Sequence, residues 1–547
     1  MHLRAPGFLR NHFTFERPWM ERVLASVAIV FLPWWVCDAA QFSFFEPVQP
    51  PRPFQVMVHR GQSHQAPENT RPALQRCIED GLEWAEVDLR LTKDGQHILS
   101  HAASVTDAAD QSWKISEHAL SALQQVDVGS RFAKRFAGER LLSLEKCFEL
   151  CKDKLNLYLD CKAVNPEQLA KAILAAGMEH QAVVYSSLEE LQRVRTASAG
   201  KVATMAKWRP GLGGPEWALT NGLAAVEIDA PDLTRSIAES FRRAGIKVQA
   251  KVLDDWDRLE MWERVIAAGA DWLQTDFPEE ILAQDLRRRF PKWPVKISLH
   301  RGANRYAPEN TLPAFAKAIR LGVDFVEFDV RTTSDGRFYL LHDSTLDGKT
   351  DGHGPIANAP SSVVAALSAG VKFGRQFAQL GMPTLEEFLT ATEGRIDLYF
   401  DAKAIPPEAL AEAIERHHMS ERTVVYQSPQ YLAQLQALNP KIRALPPLGK
   451  PEDFAVLAAT LKPYAVDADW DILSAELIAR CHAAGVKVFS DALGKHERVE
   501  DYLQAMNWGI DLIQTDHPLR VMRAIELRMT GKSPSPTRSQ SAETIKP

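Results

Sequence analysis

The sequence predicts an α/β fold of two tandem (β/α)8 barrels of the TIM type behind an N-terminal signal or anchor segment, and three observations carry that reading. The chain has 547 residues, 45% hydrophobic and 24% charged, a globular composition long enough for more than one domain. It also repeats itself: HRGQSHQAPENT from His59 returns as HRGANRYAPENT from His300, an offset of 300 − 59 = 241. The same offset carries Glu86 and Asp88 to Glu327 and Asp329, His101 to His342, and Asp160 and Lys162 to Asp401 and Lys403. One register held over so long a stretch means duplicated domains, not a solenoid of short repeats. Finally, short apolar strands alternate with amphipathic helices in each copy, the pattern of a parallel sheet. His59, Glu86 with Asp88, His101 and Asp160 each follow or end a successive strand candidate, where a barrel gathers its active site. A doubly wound open sheet is the alternative, and that placement disfavours it.

The elements follow in chain order. Arg4, Arg10, Arg17 and Arg22 precede an apolar run from Val23 to Cys37. That run is short for a bilayer-spanning helix of about 20 residues and holds Pro33, but it suits a secretory signal. Residues 1–39 are therefore expected to be a signal cleaved after Ala39, with an uncleaved membrane anchor as the alternative. Either places the bulk of the chain outside the cytoplasm, as a periplasmic, secreted or outward-facing anchored protein. The first barrel is expected at 54–286, with strands QVMVHRG, WAEVDLR, QHILSHA, NLYLDCK, QAVVYSS, KVATMAK, AAVEIDA, KVQAKVL and DWLQTDFP. Nine candidates for eight places mean that one is a loop or an extra edge segment. Helices such as RPALQRCIEDG and SIAESFRRAG lie between them and stop at Gly. Cys147 and Cys151, i and i+4 on one such helix, read as buried helix residues. A Pro-containing joint, FPKWPVK, leads to the second barrel at 295–527, and residues 530–547 read as a disordered tail. Six Cys are too few for a disulfide scaffold of this length, and a net charge of −6 gives no reason to expect nucleic acid as a partner.

In the second copy, Glu327 and Asp329 are two apart and so share a strand face. Asp401 from another strand completes an oxygen-rich cage for a hard divalent cation, Mg2+ or Ca2+. A salt-bridged cluster with Arg301, Arg331 and Lys403 is the alternative. Repetition of the whole acidic set as Glu86, Asp88 and Asp160 favours the metal. No HExxH or CxxC spacing suggests zinc. His300 and His342, with His59 and His101 in the first copy, suit a reaction that removes one proton and gives another. Arg301 and Lys403, repeated as Arg60 and Lys162, suit an anionic phosphoryl group better than a neutral glycoside.

The run HRGANRYAPENTLPAFAKAIRLGVDFVEFDVRTTSDGRFYLLHDSTLDGKTDGHGPI, followed by MPTLEEFL, LYFDAK and GIDLIQTDHP, resembles the glycerophosphodiester phosphodiesterase family over nearly all of the second copy. The resemblance implies a TIM barrel that hydrolyses small glycerophosphodiesters to glycerol 3-phosphate and an alcohol with a divalent cation. By matching motif it implies His300 and His342 as the acid/base pair, Glu327 and Asp329 as metal ligands, and Arg301 and Lys403 as phosphate-side cations. Asp401 stands where the family usually has Glu, and Ser490-Asp491 where it has a Trp-Thr pair. The first copy resembles the family less closely. It keeps His59, Arg60, Glu68, Asn69, Glu86, Asp88, His101, Asp160 and Lys162, but has Ala102 where the family has Asp. Both copies are expected to bind metal, in differing pockets; the alternative is one enzyme barrel and one degenerate barrel. Two other readings stay open: a phospholipase D-like or sphingomyelinase D-like lipid phosphodiesterase, and a noncatalytic envelope-binding protein. Membrane or envelope association would run through the N-terminus.

Overall fold

The structure is a computed structural model that describes residues 42–533. The expected signal or anchor segment and most of the expected tail lie outside the described residues. Among the described residues no helix is long and apolar enough to cross a membrane.

The first barrel is built from strands Gln55–Val58, Trp84–Leu91, Asn156–Cys161, Ala182–Tyr185, Ala203–Trp208, Ala225–Asp229, Lys247–Lys251 and Trp272–Thr275. All pair in parallel, and the ring closes where Met57 and Val58 face Trp84 and Ala85. The ninth candidate is His97–Leu99, an edge strand antiparallel to Trp84–Leu91. This corrects the placement of two histidines: His101, and likewise His342 after Phe338–Leu340, sit at the end of a hairpin arm rather than at the end of a barrel strand. The cause is local. Thr92 Oγ1 donates to Asp94 and accepts from the Gln96 amide, and Gly95 takes φ +74°, so the chain folds back at once. Thr333, Asp335, Gly336 and Arg337 repeat the turn.

The second barrel uses Lys296–Leu299, Phe325–Thr332, Asp397–Asp401, Thr423–Tyr426, Arg443–Leu445, Ala465–Ala468, Lys487–Asp491 and Leu512–Thr515. Its fifth strand is interrupted. Arg443–Leu445 pairs with Thr423–Tyr426, and its continuation Pro447–Leu448 pairs with Ala465–Ala468. Pro446 and Pro447 have no N–H for a ladder, but the Pro446 carbonyl still accepts from the Asp467 amide at 2.9 Å, which keeps the ring joined.

Strand alternation turns Trp84, Glu86 and Asp88 to the barrel interior. Trp84 and Trp272 pack at 4.8 Å, and Phe44 lies edge-on to both. Asn156 Nδ2 donates to the Phe45 carbonyl, so the entering chain covers the N-terminal end of this barrel and leaves the opposite end for chemistry. Phe325, Tyr399 and Phe489 occupy the same layer in the second barrel. The closing helices, Pro278–Arg289 and Pro518–Thr530, join the two barrels through ion pairs, with Arg289 on Glu526 at 2.6 Å.

Trp84→Ala should lower the unfolding free energy of the first barrel by about 3–5 kcal/mol, whereas Leu438→Ala, at a site 49% exposed, should stay within about 0.5 kcal/mol. Denaturant unfolding of both variants checks this; equal costs would contradict the assigned interior layer.

Candidate active sites

Register brings the acidic residues together. Asp329 pairs directly with Asp401, and Asp88 with Asp160, across neighbouring parallel strands. Glu327 and Glu86 lie two residues back on the same face. One oxygen from each of Glu327, Asp329 and Asp401 lies within 4.8 Å of the others, and the same holds for Glu86, Asp88 and Asp160. Their orientation is fixed by neighbours. The Arg301 amide donates to Glu327 at 2.7 Å, Asn310 Nδ2 donates to Asp329 at 2.8 Å, and Lys403 Nζ reaches Asp401 at 2.5 Å. Arg60, Asn69 and Lys162 repeat these bonds at 2.8 Å each. Arg60, Asn69, Arg301 and Asn310 all take φ between +55° and +57°, a left-handed conformation that asparagine adopts readily but that is costly for arginine. Gly302 follows at φ +78°, where a Cβ would meet the Ala314 Cβ at 2.9 Å, so the turn needs glycine.

These triads carry excess negative charge. Burial, then the charges of Asp329 and Asp401, pushes Glu327 well above the usual carboxylate range. Burial raises Asp401 despite Lys403 beside it. Glu86 and Asp160 behave in the same way. Asp329 Oδ1 is buried without a hydrogen-bond partner, with Lys403 Nζ 3.6 Å away. An all-oxygen donor set with an orphaned carboxylate oxygen fits a hard divalent cation. The expected phosphate-side cations are here, but already engaged: Arg301 holds Glu309 at 3.0 Å and stands 3.6 Å from Asp329, and Arg60 holds Glu68 at 2.9 Å.

His300, directly after the first strand of its barrel, bonds Asp516 through Nδ1 at 3.0 Å, and His342 bonds Asp343 through Nδ1 at 2.9 Å. An Nδ1–H given to a carboxylate leaves Nε2 as the free ring nitrogen. His59 bonds Asp276 in the same way at 2.8 Å. His101 has no carboxylate partner among the described residues, since Ala102 stands in the place of Asp343, and burial holds its pKa below the ordinary value. Arg331 and Arg90 each bond the carbonyl of the hairpin histidine through two nitrogens, which fixes the end of the hairpin arm.

Several of these residues have no role assigned by the sequence reading: Asp276 and Asp516, which orient the first histidine of each site, and Asp257 and Glu497 behind them. Glu497 accepts from Thr515 Oγ1 at 2.9 Å and from the Asp516 amide at 2.6 Å; Asp257 does the same for Thr275 and Asp276. The repeat holds the signal, because 257 and 276 map to 497 and 516 with a shared offset of 240, one less than the 241 that holds earlier in the copies, and acidic character is kept. Burial pushes Asp257 up to about 6 and Glu497 up to about 7. Burial would raise Asp516 and Asp276 too, but the hydrogen bonds and charges of His300 and His59 hold them below the ordinary value. Ser490 points away from the mouth and bonds the Ala468 carbonyl at 2.6 Å. Asp491 is pushed up to about 6 by burial, an effect the charge of His300 partly offsets.

Comparison with known proteins gives a consistent result. A family model described as the glycerophosphoryl diester phosphodiesterase family matches residues 59–210 and 300–520. A glycerophosphodiester phosphodiesterase of Caldanaerobacter subterraneus is 31% identical over 232 residues, 41% of this chain and 94% of its own length. One from Bacillus subtilis is 26% identical over 244 residues, 40% of this chain and 82% of its own length. Among solved structures, a glycerophosphodiester phosphodiesterase from Agrobacterium tumefaciens is 28% identical, with a TM-score of 0.39 over 42% of this chain and 99% of its own. An Oleispira antarctica phosphodiesterase in complex with the product sn-glycerol-3-phosphate is 25% identical, with a TM-score of 0.40 over 42% of this chain and 96% of its own.

Glu497 yields a signed prediction. Its folded-state pKa of about 7 exceeds the ordinary 4.5, so the folded chain holds a proton that the unfolded chain releases between these values. Its stabilising contribution is complete below about pH 4.5 and is lost as pH rises through about 7. The Tm should fall between pH 5 and pH 8, and Glu497→Gln should reduce that fall; identical pH profiles for the two proteins would contradict the assignment.

Proposed function

The chain belongs to the glycerophosphoryl diester phosphodiesterase family, and from that premise we propose that it hydrolyses glycerophosphodiesters to glycerol 3-phosphate and an alcohol, chiefly at the mouth of the second barrel. The observation that carries this reading is the pair of His–Asp couples, His300 with Asp516 and His342 with Asp343, beside one buried carboxylate triad. Glu327, Asp329 and Asp401 would hold the cation, Mg2+ or Ca2+, which supplies charge neutralisation at the phosphate oxygens. His300 and His342 divide the proton work: one takes the proton of the nucleophile and the other protonates the departing alkoxide. Asp516 and Asp343 keep each ring in the tautomer that presents Nε2. Arg301 and Lys403 add positive charge beside the transferred phosphoryl group. Water or the substrate's own glycerol hydroxyl serves as nucleophile.

The first barrel keeps the triad Glu86, Asp88 and Asp160, the cations Arg60 and Lys162, and the couple His59–Asp276. Its second histidine, His101, lacks the orienting carboxylate, and we assign this barrel the slower turnover. The basic and then apolar order of the first 37 residues supports an exported site of action.

His300→Ala and His342→Ala should each lower glycerol 3-phosphate release from glycerophosphocholine by about 100- to 10,000-fold with folding intact, while His59→Ala costs much less. Chelator should abolish release, and added Mg2+ or Ca2+ should restore it. Near-normal rates in both second-barrel variants, or full activity in chelator, would overturn the proposal.

A further inference from the structure

Between the barrels, at the mouth of the second site, lies a cavity of about 490 Å3, room for a phosphorylated small molecule. Arg76 and Arg135 reach it from the first barrel, and Arg305, Lys349 and Lys372 from the second. Its acidic lining, Glu309 and Asp516, is already committed: Glu309 holds Arg301 and Lys349, and Asp516 holds His300. Arg76, Arg135 and Lys372 make no carboxylate ion pair among the described residues. Arg76 bonds only the Gln65 amide oxygen, at 3.0 Å. Arg135 lies over the Phe373 ring at 4.3 Å and the Phe136 ring at 4.9 Å, which braces its guanidinium at the rim while it donates to the Phe373 carbonyl.

The duplication supplies an internal control. Arg76 corresponds to Lys317, which is buried against both Glu279 and Glu280 of the first barrel's closing helix. The corresponding pair on the second barrel's closing helix is Leu519 and Arg520, one neutral and one cationic. The same position in the fold is thus ion-paired on one side of the interface and not on the other, where the nearby buried Asp80 is engaged by Arg305 at 3.5 Å and His517 at 3.8 Å. Crowding of like charge is felt within the cavity: burial and then Arg305 lower Arg76, and burial and then Arg76 bring Arg135 down to about 10. A bound anion would relieve both.

We propose that this cavity binds a second anionic group of the substrate, a phosphate monoester or a further phosphodiester, carried on the alcohol side of the glycerophosphodiester. The glycerol moiety bears no charge of its own, so an additional anion must come from the alcohol. Asp516, which orients His300, and Glu309, which holds Arg301, line both this cavity and the reacting centre, so a group held here stays joined to the phosphodiester being cleaved. The inference rests on the hydrolytic reading and specifies its substrate class.

The test uses the full chain carrying His59→Ala, so that turnover reports the second barrel, and compares bis(glycerophospho)glycerol with glycerophosphocholine. Adding Arg76→Gln and Arg135→Gln should raise KM for bis(glycerophospho)glycerol about 10- to 100-fold, each charge-assisted contact contributing up to about tenfold. The kcat should be little changed, as should both constants for glycerophosphocholine. Arg76→Lys with Arg135→Lys should recover part of the loss. Unchanged kinetics on both substrates, or an equal loss on both, would overturn the proposal. If neither substrate is turned over, the hydrolytic reading fails, and calorimetry with tripolyphosphate decides the cavity separately: weaker binding in the double Gln variant supports it, and equal binding overturns it.

Discussion

Three carboxylates sharing one barrel mouth cannot all keep their charge in a buried setting without concentrated positive charge among them, and the arrangement around each mouth answers that constraint. Parallel register sets Asp88 beside Asp160 and Asp329 beside Asp401. Left-handed Arg and Asn residues turn an amide and a carboxamide onto the acids, and a lysine two residues beyond the third acid folds back onto it. These contacts orient the oxygens but leave Asp329 Oδ1 without a partner, and burial still lifts Glu327 and Asp401. A divalent cation held by the triad would complete the charge balance.

The two barrels show what duplication preserves and what it releases. Each keeps its acidic triad, its first histidine and the aspartate behind that histidine, all on strands of the ring or directly after them. Besides the interrupted fifth strand of the second barrel, divergence falls on the hairpin arm, where His342 has Asp343 and His101 has Ala102, and on the barrel interface, where Lys317 is ion-paired and Arg76 is not. Both of these differences change charge near the candidate sites and cost the core little, because loops and interfaces tolerate change that an interior layer of Trp84, Trp272 and Phe44 does not.

Much of this was legible in the sequence. The repeat located both barrels, and period-two alternation placed Glu327 with Asp329 and Glu86 with Asp88 on inward faces. The acidic candidates meet in space in two groups, Glu86 with Asp88 and Asp160, and Glu327 with Asp329 and Asp401. The hairpin arm was not legible, because His97–Leu99 has the composition of a barrel strand and only the Thr92–Gly95 turn reverses it. Asp516 and Asp276 lie 216 and 217 residues from their histidines, so no local motif announces the couples. The interface cations were harder still. Arg76 lies on the helix RPALQRCIEDG, and nothing in that segment announces the barrel that packs beside it.

If each triad holds one divalent cation, as proposed, metal content tests it most directly. Equilibrium dialysis of the full chain against Mn2+ as a probe, followed by elemental analysis, should give two tightly bound ions per chain, one after Asp329→Asn, and none after Asp88→Asn with Asp329→Asn. Absence of tight binding to the parent chain, or binding that survives both substitutions, would contradict it.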